Sequence, residues 1–276
     1  LSVESVNNAV VVVTGGASGI GLAMARRFVR EGAQVVVADI ETAALDRAAA
    51  SLPAGTLAVP TDVTSPDDVA RLARAVLDRF GHVDVVCNNA GVSTFNLLEH
   101  QTLDDWRWVF DVNLWGVVHG VRTFVPIMRE QGTPGHVVNT ASAAGLTGAV
   151  PYMGPYAASK AAVIALSETL RAELELAGAP IGVSVLCPGF TDTNVLEGHR
   201  NRGAERGAEQ RTPESEEVVR FIRDSFGSPI AKSPEAVADI VLRAVLEDRF
   251  WIISHGGMDD IFEARFAAIA AASPRR

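Results

Sequence analysis

The sequence predicts a single α/β domain built on a doubly wound parallel sheet of about seven strands, with helices on both faces. Three observations predict it. Short β-branched runs, residues 9–13 first among them, are apolar at every position, as strands buried on both faces must be. Stretches of helical period alternate with these runs along the chain. The first run also ends in a glycine-rich turn that leads directly into a helical stretch.

Composition sets the outer limits. The 276 residues are 48% hydrophobic and 21% charged, which is ordinary for a protein with a sizeable core. No apolar run has the length needed to span a bilayer, and residues 1–8 lack the basic region of a secretory signal. A net charge of −9 with no basic block argues against nucleic acid as a partner. Cys87 and Cys187 each end an apolar run and read as buried free thiols in a reducing, cytoplasmic setting. No ligand spacing points to a metal.

The elements follow in order. Residues 9–13 form the first strand. Thr14-Gly15-Gly16-Ala17-Ser18-Gly19-Ile20-Gly21 is the turn, and residues 22–31 are the helix. A glycine turn admits a pyrophosphate close to the backbone, and the helix start offers it free N–H groups and a partial positive charge. The second strand, residues 34–38, ends at Asp39, eighteen residues beyond Gly21. An acid at about this spacing accepts hydrogen bonds from an adenosine ribose and repels a 2′-phosphate, which favours NAD over NADP. The competing reading of Asp39 is a cap for the helix over 42–52. A third strand covers 57–61, followed by Asp62 and Val63. Ser65-Pro66 then caps a helix to Phe80 that Gly81 closes. The fourth strand, 83–87, ends in Asn88-Asn89-Ala90-Gly91, small and amide residues suited to a ligand crevice.

Residues 103–131 read as one long helix with Asn113 inside it, a locally unfavourable placement. The fifth strand, 135–140, precedes Ser142. Beyond it lies Tyr156-x-x-x-Lys160. The chain has only two tyrosines and two lysines, so this pairing stands out. On a helix the two side chains share a face. An ammonium beside a phenol favours the phenolate and would lower its pKa from about 10, making Tyr156 a usable acid or base. The sixth strand, 181–187, leads into Pro188-Gly189-Phe190-Thr191-Asp192-Thr193, and the seventh covers 250–253. Residues 197–217 are rich in Arg, Glu and Gly; the simplest reading gives these arginines to solvent. His82, His100, His119 and His136 read as strand-edge or helix-surface residues, and His255 as a turn residue.

Taken together, Thr14-Gly-x-x-x-Gly-x-Gly21, Asn88-Asn-Ala-Gly91, Asn113, Ser142, Tyr156-x-x-x-Lys160 and Pro188-Gly189 with Thr193 resemble the short-chain dehydrogenase/reductase family, over nearly everything from Ala9 to Ile253. The resemblance implies a Rossmann-like fold and an NAD(H)-dependent interconversion of a secondary alcohol and a ketone. It implies Tyr156 as acid/base, Lys160 lowering its pKa and holding the nicotinamide ribose, Ser142 orienting the reacting oxygen, and Asn113 bending its helix and supporting a proton relay. The expected cofactor contacts are Gly15, Ser18, Gly19, Ile20, Asp39, Asp62, Val63, Asn89, Ala90, Gly91, Tyr156, Lys160, Pro188, Gly189, Thr191 and Thr193. Rival readings are an NADP-linked ketone or oxoacyl reductase and a non-catalytic nucleotide-binding scaffold. Segments 92–95, 145–153 and 190–196 are expected to line an apolar substrate pocket. Residues 194–232 are expected to form a substrate loop, and 258–272 a helical tail in place of the family's usual acid-glycine-glycine ending. A homo-oligomer, tetramer or dimer, is expected through helices 103–131 and 156–177.

Overall fold

The computed structural model describes residues 3–148, 150–202, 211–226 and 228–274. Seven parallel strands form one sheet: β1 Val10–Thr14, β2 Gln34–Asp39, β3 Leu57–Pro60, β4 Val85–Asn88, β5 Gly135–Thr140, β6 Ile181–Cys187 and β7 Trp251–Ile253. Their order is β3-β2-β1-β4-β5-β6-β7, so the winding reverses between β1 and β4. A crevice opens at the C-terminal ends of the strands at such a reversal.

The all-apolar strands are explained by two cores. Val11 and Val13 face one side with Val35 and Val37, packing on α1 (Gly19–Arg30), α2 (Thr42–Ala50) and α9 (Pro234–Leu246). Val10 and Val12 face the other side with Val36, packing on α3 (Pro66–Phe80), α5 (Gly116–Gln131) and α7 (Gly154–Leu176). Neither face meets water, so neither can alternate in polarity. His136, expected at a strand edge, is in fact fully buried; its Nε2 bonds Ser184 Oγ at 2.7 Å, and burial pushes its pKa down to about 4.

Helix boundaries follow the capping signals. Ser65 Oγ accepts the Asp68 N–H at 3.2 Å, Pro66 opens α3, and Gly81 ends it with φ 79°. The long helix expected over 103–131 is divided. α4 (Leu103–Phe110) passes into a π-helical turn, Asp111–Trp115, before α5. The extra residue in that turn lets Asn113 point away from the regular helical path, and π turns of this kind commonly serve a site. The remaining helices are α6 (Ala143–Thr147), α8 (Pro213–Phe226) and α10 (Asp259–Ala271), with 3-10 segments at Leu98–His100 and Asn194–Asn201. Among the described residues no helix is long and apolar enough to cross a membrane.

Ser65→Ala removes the α3 cap and is expected to cost about 1 kcal/mol. Urea unfolding would show a lower midpoint with an unchanged slope.

Candidate active site

A cleft of about 1200 Å³ runs across the C-terminal edge of the sheet. At one end its floor is the turn after β1. Thr14 Oγ1 accepts the Asn89 and Ala90 N–H groups at 2.9 and 3.3 Å, and Asn89 Nδ2 donates to Thr14 O at 3.0 Å. These bonds draw the ends of β1 and β4 together. Gly15 lies in the join with φ 63°, where a Cβ would stand 2.9 Å from Ala90 Cα, so only glycine fits.

This end suits a dinucleotide. Helices α3, α4, α6 and α9 each begin with a Ser or Thr side chain capping the first turn. α1 begins at Ser18 with no side-chain cap and no acid in its first turn, and Ser18, Gly19 and Ile20 line the cleft. Its first N–H groups are therefore presented to whatever anion the cleft receives. Asp39 lines the same region. Its Oδ2 accepts the Ala17 N–H at 3.1 Å and its Oδ1 the Glu41 N–H at 3.0 Å, so it ties the glycine turn to the start of α2 and realises part of the capping role as well. Burial raises its pKa, against the pull of these backbone bonds. Asp62, Val63, Asn89, Ala90, Gly91, Pro188, Gly189, Thr191 and Thr193 also lie along the cleft wall.

The other end holds the Tyr156, Lys160 and Ser142 side chains. Ser142 caps α6, accepting the Ala144 N–H at 3.2 Å. Lys160 Nζ donates to Thr140 O at 2.8 Å and lies 5.7 Å from the centroid of the Tyr156 ring. Tyr156 and Lys160 are thus on one face of α7, but the ammonium meets a β5 carbonyl rather than the phenol oxygen. The expected lowering of the Tyr156 pKa is not realised by this pair alone. Burial pushes the phenol up, partly offset by the hydrogen bond from Ser142. Burial also pushes Lys160 down to about 8.

Asn113 stands behind this site and is fully buried. Its Oδ1 accepts the Val92 N–H at 2.8 Å; its Nδ2 donates to Val92 O and Ser159 Oγ, both at 3.0 Å. Ser159 Oγ in turn donates to Tyr156 O at 2.7 Å. The π turn therefore anchors the loop after β4 and the first turn of α7 together.

The roof comes from segments that the sequence reading left vague. Val92, Phe95, Val150, Met153, Phe190, Val195 and Leu196 were expected and line the cleft. Phe221 and Ile222 on α8, within the expected substrate loop, and Met258 and Ile261 at the expected tail line it too. Trp108 on α4 was not expected; helical period marked it as apolar, but nothing in the sequence aimed it here. The arginines read as solvated are corrected at three positions, one of them Arg211, whose guanidinium lies 5.6 Å from the Phe95 ring centroid. Arg200 Nε and Asn201 Nδ2 both bond Glu41 Oε1, at 2.9 and 2.7 Å, across the cleft from the 3-10 segment. Arg200 holds the Glu41 carboxyl below its usual range. Arg202 is buried in an ion pair with Asp105, with its guanidinium 5.5 Å from the Trp108 ring centroid. Part of the charged stretch, residues 203–210, lies outside the described residues.

The sequence profile described as "short chain dehydrogenase" matches residues 9–203. The chain belongs to the short-chain dehydrogenase/reductase family. It is 44% identical over 252 residues to a 1-deoxy-11-beta-hydroxypentalenate dehydrogenase of Streptomyces arenae, covering 88% of this chain and 81% of that one. It is 38% identical over 220 residues to a meso-2,3-butanediol dehydrogenase of Serratia marcescens, covering 77% of this chain and 85% of the relative. A solved short-chain dehydrogenase/reductase from Burkholderia phymatum, in complex with NAD, superposes with a TM-score of 0.93 at 37% identity over 99% of both chains. This dehydrogenase thus shares its architecture with that solved structure over almost the whole chain.

Lys160 gives a pH signature of folding. Its folded pKa of about 8 lies below the ordinary 10.5, so at neutral pH the folded state carries the burden of a buried charge. Between these values the unfolded chain binds more protons, and stability contributed by this group rises with pH. Lys160→Met removes the titration. Its stability relative to wild type is expected to decline as pH rises from 8 to 10.5, measured by urea unfolding across that window.

Proposed function

We propose that this dehydrogenase interconverts a bulky, largely apolar secondary alcohol and its ketone, with NAD as the hydride carrier. One observation carries the reading: Ser142, Tyr156 and Lys160 meet in the cleft whose other end is the glycine turn and Asp39. When bound, the nicotinamide supplies the hydride acceptor or donor and, when oxidised, a positive charge beside the phenol.

The chain's own residues do the rest. Gly15, Ser18, Gly19 and Ile20 would receive the pyrophosphate. Asp39 would hold the adenosine ribose and reject a 2′-phosphate by charge repulsion. Arg200 reaches that end but is already paired with Glu41. Asp62, Val63, Asn89, Ala90 and Gly91 supply further cofactor contacts, with Pro188, Gly189, Thr191 and Thr193 at the nicotinamide. In oxidation, Tyr156 takes the alcohol proton; in reduction it returns one to the ketone oxygen. Ser142, already within reach of the phenol, orients the reacting oxygen. Lys160 bonds the nicotinamide ribose and opposes the effect of burial on Tyr156, each unit of pKa amounting to about 1.4 kcal/mol. Asn113 keeps the relay in register by holding Val92 and α7.

The substrate end is supported by its walls. Phe95, Trp108, Met153, Phe190, Phe221 and Ile261 are apolar and line it together. The two relatives named above are both named for alcohols, a hydroxypentalenate and a butanediol; the roof here suits the larger kind. Residues 194–232 act as the substrate lid and the tail, 258–272, as a second wall, so that 1–276 works as one catalytic unit. Two buried unpaired thiols favour the cytoplasm. Exposed Leu103, Trp115 and Leu176 on α4, the π turn and α7 favour a homo-oligomer, tetramer or dimer.

Tyr156→Phe is expected to bind NADH like wild type and to lose at least about a thousandfold in kcat, the upper part of the general acid–base range. Retained turnover would end the acid/base assignment. NADH is expected to outperform NADPH in kcat/KM, and Asp39→Ala to narrow that preference. Ile261→Trp is expected to raise KM for polycyclic alcohols while leaving butanediol-sized substrates unchanged, as followed by NADH absorbance.

A further inference from the structure

We propose that His255 is a positioning residue that holds the nicotinamide-side loop, Gly189 and Phe190, in its working shape. The proposal rests on the reading of the cleft as a dinucleotide site. β7 ends at Ile253, at the far edge of the sheet from β3, and delivers His255 beside the loop that leaves β6. There the imidazole is bonded at both nitrogens. Nδ1 receives the Gly189 N–H at 3.1 Å and the Ser254 hydroxyl at 2.7 Å. Nε2 lies 2.8 Å from Phe190 O.

The chemistry fixes the proton. A backbone N–H only donates, so Nδ1 is the acceptor and Nε2 carries the hydrogen that Phe190 O accepts. Burial and the nearby Lys232 charge both hold the ring below its ordinary range, so this neutral tautomer is the resting form. With both nitrogens engaged, the ring serves the loop and not proton transfer.

The loop's sequence is fitted to the ring. A Cβ on Gly189 would stand 2.8 Å from His255 Cγ, so glycine at this position makes room for the imidazole. The loop has two further backbone ties. Pro188 O accepts the Ala143 N–H at 3.0 Å, from the residue after Ser142, and Phe190 O, the atom His255 reaches, also accepts the Lys232 N–H at 3.0 Å. The loop is thus gripped between the Ser142 segment and His255. Relaxing the His255 side would let Gly189, Phe190 and Thr191 drift from the cleft wall without touching Tyr156 or Lys160.

The test uses the full chain and three variants: His255→Phe, His255→Asn and His255→Gln. NADH affinity is read by fluorescence titration, alongside KM for NAD and kcat. His255→Phe loses both bonds and is expected to weaken NADH binding about tenfold, the equivalent of one or two hydrogen bonds. KM for NAD should rise more than kcat falls. Asn places an oxygen where Nδ1 stands and should recover much of the loss through the Gly189 N–H; Gln restores only the Phe190 link. Should His255→Phe fail to fold, His255→Asn against His255→Gln still orders the two bonds. Variants that bind NADH as wild type does overturn the proposal, as does an Asn variant no better than Phe. Wild-type protein that binds no NADH would instead overturn the dinucleotide reading, and this proposal with it.

Discussion

A positive charge is kept where there is almost no water. Lys160 is 2% exposed, and its ammonium has lost the hydration that would normally stabilise it. What compensates is a backbone carbonyl at the end of β5, Thr140 O, reached across the α7–sheet contact. The bond requires α7 to lie at one depth and rotation against the sheet. That placement in turn depends on Asn113, which donates to Ser159 of α7, and on the apolar face carrying Val163, Ile164 and Leu170. The site's geometry is therefore a consequence of how one helix is seated. A charge so buried is tolerated because the carbonyl that accepts from it is fixed in place.

The cleft is closed by bonds of a different kind. Glu41 joins the adenosine end to the 3-10 segment through Arg200 and Asn201, half-exposed contacts that water can compete for. Arg202 and Asp105 form a buried pair beneath Trp108, where removing one partner strands the other charge. The chain at 200–202 is thus held by water-accessible contacts at Glu41 and by a buried pair at Asp105. Arg265 of α10, donating to Leu146 O, fastens the second wall to the segment that carries Ser142.

Much of this was legible in the chain. Residues 10–13, buried on both faces, had to be apolar at every position, and the sequence is; Ser65-Pro66 and Gly81 bound α3 because capping is a local matter of free N–H groups and positive φ. The glycine turn and Tyr156 with Lys160 could be named from local spacing, and Ser142 from the family resemblance. Less legible was anything set by a distant partner. Local propensity marked Asn113 only as unfavourable in a helix and the resemblance gave it a role; its bond to Val92, twenty-one residues away, came only from the fold. The lid arginines looked solvated because Asp105 and Glu41 lie 97 and 159 residues from their partners.

Two details separate the kinds of information most clearly. That Tyr156 and Lys160 share a helix face follows from a four-residue spacing, and the sequence alone determined it, along with the strand order's alternation and the acid at the end of β2. That the ammonium bonds Thr140 O and leaves the phenol raised by burial, that His255 backs the loop after β6, and that α8 and α10 roof the pocket were decided only by tertiary structure. The physical reason is that desolvation and side-chain aim depend on what packs from elsewhere in the chain, whereas periodicity, capping and turn chemistry depend on neighbours a few residues away.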